Sequence, residues 1–227
     1  MSNGQPLQAP QAPPGRLRIS EIYASIQGES THAGRPCTFV RLIGCPLRCA
    51  WCDTAYAFAG GQLMDLTAIL REVERCGQRL VELTGGEPLA QADTPALITA
   101  LCASGREVLI ETSGTLAVAH LDPRARVIAD LKCPGSGESW RVNWPILAGL
   151  RSVDELKIVV ADRADFDWGL AALAGQLRGL QATVLWSAVA DLLPPAELAG
   201  WLLSSRAPGR LQIQLHRTLW PSVERGV

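Results

Sequence analysis

The chain lacks a surplus of charge of either sign: 21 Lys and Arg stand against 22 Asp and Glu, a formal net charge of −1. Nucleic-acid binding ordinarily leaves a basic excess, so no polyanionic partner is expected. No apolar stretch is long enough to cross a bilayer. The N-terminus lacks the charged segment followed by an apolar run that marks a secreted chain. Nor is there an internal repeat, or a linker beyond residue 15. Seven cysteines are present, Cys37, Cys45, Cys49, Cys52, Cys76, Cys102 and Cys133. An odd number without an export signal argues against a disulfide scaffold. It points instead to a reducing cytoplasm and a metal site.

What is present suits one soluble folded domain: 227 residues, 48% hydrophobic and 19% charged. Residues 1–15 are rich in Pro, Gln and Ala and are expected to form a flexible tail, leaving 16–227 as a single domain. Strands are predicted at 17–25, 37–43, 79–83, 107–111, 126–130, 155–160, 182–186 and 211–215. Helical periodicity marks 65–77, where Leu66, Ile69, Leu70 and Val73 recur on one face, and also 93–104, 164–179 and 194–204. The crossovers 112–125 and 131–154 are weakly periodic. Strands alternating with helices imply βαβ units and a largely parallel sheet. A full eight-fold barrel commonly needs about 250 residues. The expected fold is therefore α/β, an incomplete (β/α)6-like barrel. Polar or Gly-rich groups follow successive strands: Thr84-Gly85-Gly86-Glu87, Glu111-Thr112-Ser113-Gly114, Asp130-Leu131-Lys132, Ser187 and His216. In α/β barrels that rim is where active sites form.

Gly44-Cys45-Pro46-Leu47-Arg48-Cys49-Ala50-Trp51-Cys52-Asp53-Thr54 has C-x3-C-x2-C spacing, which can turn three thiolates toward one point. Such soft ligands suit an iron–sulfur cluster or zinc. An electron-transfer cubane takes four cysteines, and a fourth is missing locally. Three ligands to four irons leave one iron open to an amino-acid chelate such as the methionyl end of S-adenosylmethionine (SAM). An electron passed into the sulfonium then breaks a C–S bond and yields a 5′-deoxyadenosyl radical. A zinc site completed by His32 or Cys37 is the alternative left open by the spacing.

The spacing resembles the radical SAM superfamily. More narrowly, the chain resembles the 7-carboxy-7-deazaguanine synthase family over about residues 18–220. The resemblance lies in Glu21 through Glu29, with its Ser25-Ile26-Gln27-Gly28-Glu29 block, in Gly34-Arg35-Pro36, and in Phe39-Val40-Arg41-Leu42. It continues through Gly44–Tyr56, Thr84–Pro88, Glu111–Thr115, Asp130–Lys132, Glu155-Leu156-Lys157 and Gln214–Arg217. It implies a lyase that converts 6-carboxy-5,6,7,8-tetrahydropterin into 7-carboxy-7-deazaguanine, with loss of ammonia, in queuosine and other 7-deazapurine biosynthesis. SAM acts as a regenerated cofactor and Mg2+ assists. Also implied are a cytoplasmic homodimer and a flavodoxin- or ferredoxin-type electron donor.

By that resemblance Cys45, Cys49 and Cys52 hold a [4Fe–4S] cluster and Thr54 meets Mg2+. Ile26, Gln27, Gly28, Arg41 and Thr84 meet the pterin. Trp51, Cys52, Asp53, Gly86, Glu87, Ser113, Asp130, Leu131, Lys132 and Ser187 meet SAM, Glu87 through the SAM amine. The residues support parts of this on their own terms. Arg41 interrupts an apolar strand, where a charge needs a partner, and its planar fork suits a carboxylate. Glu111, Lys157 and His216 sit at or just past strand ends and are candidates to line the pocket. The other four cysteines are assigned no chemistry. The chain departs from the family at Ser30 (usually Gly), Pro46 (often Asn) and Ser187-Ala188 (commonly Ser-Pro or Gln-Pro). It also runs on to Val227, so the terminal-carboxylate contact of some relatives is not expected. A radical SAM activase acting on a partner protein shares the cysteine spacing and would need an open groove. A non-catalytic zinc module would bind no iron or sulfide.

Overall fold

The computed structural model describes residues 12–223 and 225–227. Residues 1–11 of the expected tail lie outside the described residues. At 12–15 the chain turns into the first strand, and the Gly15 N–H donates to Asp93 at 2.8 Å. The strands are β1 (Arg16–Ile26), β2 (Pro36–Leu42), β3 (Gln62–Asp65), β4 (Leu80–Gly85), β5 (Glu107–Thr112), β6 (Arg126–Lys132), β7 (Glu155–Val160), β8 (Thr183–Ala188) and β9 (Arg210–Gln212). They form one sheet in the order β3-β1-β2-β4-β5-β6-β7-β8-β9. From β2 to β9 every neighbouring pair is parallel, while β1 runs antiparallel to both β2 and β3. The sheet ends at β3 and β9 without closing, so the fold is an incomplete barrel of six full parallel strands, extended by the short β9 and by the β1 and β3 edge.

Helices α1 (Leu66–Cys76), α2 (Thr94–Ala103), α3 (Trp144–Ala148), α4 (Arg163–Ala174), α5 (Pro195–Ser205) and α6 (Leu215–Leu219) complete the chain. Helix α1 shows why these boundaries hold. The Asp65 carboxylate accepts from the Ala68 N–H at 2.7 Å, and Gly77 ends the helix at φ 78°, a conformation that costs glycine little.

Period-two alternation divides the sheet into two faces. Val81 and Leu83 of β4, with Val108, Ile110, Leu156, Ile158 and Trp186 on later strands, join the large core under the helices. The intervening residues face the concave side. At its lower end Cys37, Phe39, Leu80, Leu109 and Ile128 form a separate small apolar cluster. Tyr23 stacks on Phe39 there, ring centroids 5.3 Å apart. This cluster is the floor of the concavity.

Three expectations need correction. Residues 213–215 are not strand: β9 pairs with β8 only over Arg210–Gln212, and Leu215 starts α6. The helix expected to run to residue 179 ends at Ala174, because Gly175 leaves the helical region (φ −102°, ψ −101°). Strand β3 was not foreseen. Its four residues are too few to show a period, and antiparallel pairing with β1 selects them.

Candidate active site

The cysteine loop leaves the C-terminal end of β2 and is fastened from several sides. The Arg48 N–H donates to Glu138 at 2.6 Å, the Ala50 N–H to the Ser136 carbonyl at 3.0 Å, and Arg141 Nη1 to the Pro46 carbonyl at 2.8 Å. From β4, the Glu87 N–H reaches the Gly44 carbonyl at 2.7 Å. Gly86 lies flush against this loop. A Cβ there would sit 2.2 Å from the Gly44 oxygen and 3.0 Å from Cys45 Cβ, which no side chain can do without moving backbone. Glycine is therefore dictated by contact with the loop itself.

Cys45, Cys49 and Cys52 are free thiols, each partly exposed. Burial pushes the Cys45 thiol up to about 11 and raises Cys49 as well, while the Lys132 ammonium, within electrostatic reach of both, favours their thiolates. The zinc alternative loses its fourth ligand. Cys37 lies in the floor, at the opposite end of β2 from the loop. His32 Nδ1 stands 2.6 Å from Arg35 and its Nε2 3.3 Å from Arg126. Three soft donors on one fastened loop, with a cation beside them, fit an iron–sulfur cubane whose remaining iron takes an outside ligand.

Above the floor the concave face turns polar. Glu82 projects from the middle of β4, wholly buried, and contacts Gln27 Nε2. Burial first, then the charges of Glu111 and Glu29, push its carboxyl well above the usual carboxylate range. Lys157 on β7 contacts Glu111, bonds Glu29 Oε2 at 2.8 Å and lies 3.6 Å from Asp130. Burial pulls its pKa down, but Asp130, Glu111 and Glu29 outweigh burial and hold it above the ordinary lysine range. Lys132 follows the same pattern: burial opposes its charge, and Asp130 and Cys49 outweigh it. Glu29 is a hub, accepting from Gln212 and Gln214 at 2.9 Å each as well as from Lys157.

Arg41 stands at the edge of this tier. Its Nε donates to Glu21 at 2.9 Å and its Nη2 to the Tyr23 hydroxyl at 3.0 Å, while the Tyr56 hydroxyl also donates to Glu21, at 2.9 Å. A guanidinium has five N–H groups. Two are engaged here, so the fork is held in place with donors left over. The C-terminal residues, not expected to approach the pocket, do reach this tier. The Tyr23 hydroxyl donates to the Val227 oxygen at 3.2 Å, and Arg225 lies over the Tyr56 ring.

The remaining expected residues do not all stand at that mouth: Ile26 pairs with Pro36, at the end of β2 opposite the cysteine loop. Gln27 is buried, its Oε1 accepting the Glu29 N–H at 2.9 Å. Ile26 ends β1, and Gly28 packs so closely on His216 that a Cβ would meet its Nδ1 at 2.3 Å. Thr84 donates to Glu111 at 3.1 Å. The Thr54 hydroxyl lies 3.9 Å from Cys52 Sγ and 3.3 Å from the Gly85 carbonyl. Trp51 packs near Gly135, Asp53 is exposed, and Ser187 is buried on β8.

Two expectations change. Leu131 points into the helix-side core, so only its backbone can serve a ligand. Glu87 is fully buried, and its carboxylate accepts from Thr112 Oγ1 (2.9 Å), the Ser113 N–H (2.7 Å), Ser113 Oγ (2.5 Å) and the Leu89 N–H (3.0 Å). It ties the β4 turn to the end of β5 through these four contacts. Sequence reasoning missed Glu82. Its signal was available, since a charge in the apolar run Leu80-Val81-Glu82-Leu83 carries the same warning as Arg41.

The radical SAM superfamily pattern matches residues 40–134. The chain is 42% identical over 214 residues to the 7-carboxy-7-deazaguanine synthase of Chlorobaculum tepidum, covering 93% of this chain and 97% of that one. It is 40% identical over 228 residues to the 7-carboxy-7-deazaguanine synthase of Koribacter versatilis, covering 93% and 100%. The crystal structure of QueE from Escherichia coli superposes with a TM-score of 0.74 at 26% identity, covering 88% of this chain and 95% of that one.

Proposed function

The chain belongs to the 7-carboxy-7-deazaguanine synthase family of radical SAM enzymes, and on that premise we propose that it converts 6-carboxy-5,6,7,8-tetrahydropterin into 7-carboxy-7-deazaguanine with loss of ammonia. It is a lyase of 7-deazapurine biosynthesis that uses a [4Fe–4S] cluster and SAM. Cys45, Cys49 and Cys52 hold the cluster. When bound, cluster and SAM supply a one-electron cleavage of the sulfonium, the source of a hydrogen-abstracting radical. The chain's own residues bind, orient and discriminate.

Gly86 offers backbone to SAM, with Glu87 and Ser113 fixing the turn that carries it. Trp51, Cys52 and Asp53 border SAM from the cysteine loop, and Asp130, the Leu131 backbone, Lys132 and Ser187 border it from β6 and β8. Arg41 receives the pterin carboxylate on its unengaged N–H groups, a charge-assisted contact that fixes both place and angle. Gln27, with the Ile26 and Gly28 backbone, reads the alternating donors and acceptors of the pterin edge, and Thr84 closes the opposite side. Thr54 would offer Mg2+ an oxygen ligand.

The observation that carries this reading is the coincidence of the three-cysteine loop and the polar tier on one mouth. Arg41 and the Gln27–Glu82 pair lie within that tier, over the apolar floor. Such a set of polar groups suits a small polar heterocycle with a carboxylate.

Among the described residues no helix is long and apolar enough to cross a membrane, which is compatible with the proposed cytoplasmic setting. The proposed homodimer has support in the exposed apolar residues Leu211, Ile213, Leu219 and Val223 around the short edge strand β9. An electron donor of flavodoxin or ferredoxin type completes the proposal. The test is anaerobic reconstitution with iron and sulfide, then SAM, Mg2+, dithionite and the carboxytetrahydropterin, with mass spectrometry of the product. Deazaguanine carboxylate is expected; its absence from fully loaded enzyme rejects the substrate.

A further inference from the structure

The apolar floor has a charged underside. Glu107 and Arg126 stand two residues before Leu109 and Ile128, on the same faces of β5 and β6. The loop of residues 27–35, which joins β1 to β2, lies against them. Two bonds of 2.8 Å close it, from the Gln27 N–H to the Arg35 carbonyl and from the Gly34 N–H to the Gln27 carbonyl. Its Gln27 and Glu29 side chains reach the polar tier, while His32 is buried among the charges below.

His32 stands between two guanidiniums. Arg35 Nη1 is 2.6 Å from its Nδ1, and Arg126 Nη1 is 3.3 Å from its Nε2. A neutral imidazole has one lone pair and one N–H, and a guanidinium only donates. Whichever tautomer forms, one of the two contacts sets N–H against N–H. Burial and the charges of Arg126 and Arg35 push the His32 pKa below its usual value, against a smaller pull from Glu107. The nearby acids leave Arg126 unmatched. Glu107 pairs with Arg35 at 2.9 Å and with Arg79 at 3.1 Å, and Glu155 accepts from the Thr31 N–H at 3.1 Å. Arg126 is exposed, and among the described residues it makes no ion pair.

We propose that His32, Arg35 and Arg126 form a binding site for a phosphoryl dianion, and that its occupant braces the 27–35 loop. The oxygens of one such ion accept from both guanidiniums at once. They also resolve the conflict at His32, because beside an anion the ring takes up a proton and donates from both nitrogens. A carboxylate brings two oxygens and one charge, whereas a phosphoryl group brings three oxygens and close to two charges. The second matches the local surplus of donors and positive charge. Free phosphate and the end of a phosphomonoester share this chemistry, and Arg126 is open enough to solvent to meet either.

The test is hydrogen exchange read by mass spectrometry on the anaerobically reconstituted protein, with inorganic phosphate or glycerol phosphate replacing chloride at constant ionic strength. Wild type is compared with Arg126→Gln and, as a control, with Arg178→Gln, an exposed position beyond α4. Each protein is its own reference, so any loosening by the substitution itself cancels. Anion in excess of its dissociation constant is expected to slow exchange across residues 27–35 at least about threefold in wild type and in Arg178→Gln. In Arg126→Gln the concentration needed is expected to rise at least about tenfold. Protection by either anion supports the site, and the tighter one distinguishes a free ion from an ester end. Equal exchange in phosphate and chloride overturns the proposal. So does slowing spread evenly over the chain, the mark of a general salt effect. An Arg126→Gln protein protected like wild type overturns it as well. No step uses SAM or the pterin, so the outcome stands apart from the activity assigned above.

Discussion

Glu82→Gln isolates the electrostatic design of the pocket. Glu82 is buried beside Glu111 and Glu29, and its carboxyl titrates well above the ordinary value of 4.5 because burial and those two charges oppose ionisation. The native protein therefore keeps a proton that the unfolded chain releases. Stability from this group is complete below the unfolded carboxyl's pKa and is lost as pH rises toward the native pKa. Each pH unit crossed in that window costs about 1.4 kcal/mol. Glutamine has the same shape, keeps an acceptor for Gln27 Nε2, and cannot ionise. The variant should gain on wild type as pH rises above the range in which the unfolded carboxyl ionises, by at most about 1.4 kcal/mol per pH unit until the native carboxyl loses its proton. Urea unfolding of the cluster-free, thiol-reduced protein, read by the fluorescence of its 7 tryptophans, measures the gap. A gap that stays constant with pH, or closes, would show that Glu82 is ionised in the fold and that the reasoning is wrong.

Further expectations are as direct. Cys49→Ala should lose the iron–sulfur absorbance on reconstitution; a variant that still carries a full complement of iron and sulfide contradicts the ligand assignment. Arg41→Gln should lower kcat/KM for the pterin about 10–100-fold, mainly through KM, and Arg41→Lys should recover only part of it because the fork is lost; an unchanged KM in dithionite-driven turnover refutes the carboxylate contact. Lys157→Met should cost about 3–5 kcal/mol in urea unfolding, since Glu29, Glu111 and Asp130 lose their shared cation; a loss below about 1 kcal/mol would mean those acids are neutral. Gly86→Ala forces a Cβ against the Gly44 carbonyl, so cluster loading should fail; wild-type iron content would show that the loop yields.

Much of this was legible before folding, and the boundary is physical. The strands and the longer helices carry a period, so β1, β2 and β4 to β8 and the helices α1, α2, α4 and α5 could be read to within a few residues, apart from the late end expected for α4. Elements of four or five residues, β3, α3 and α6, carry none and exist because neighbours select them, while β9, expected at 211–215, ends early at Gln212. Ser30 shows a middle case. The family's usual glycine at that position is explained by φ 63°, and serine holds it through an N–H to Gln212 at 2.8 Å and an Oγ that accepts from His32 at 3.0 Å. In the pocket, residue type announced Arg41 and the cysteines. It could not say that Glu87 faces inward to Thr112 and Ser113, because which way a carboxylate turns depends on donors distant in the sequence. Nor could it place Gln212, Gln214 and the chain end beside Glu29 and Tyr23, contacts that span nearly the whole chain.

The floor of Cys37, Phe39, Leu80, Leu109 and Ile128 also governs traffic. Its apolar side chains offer no partner to a polar solute, so a charged substrate and the ammonia cut from it are drawn to the hydrogen-bonding rim at the other end of the strands. The loops at that rim then bear on turnover, while the strands beneath hold the molecule together.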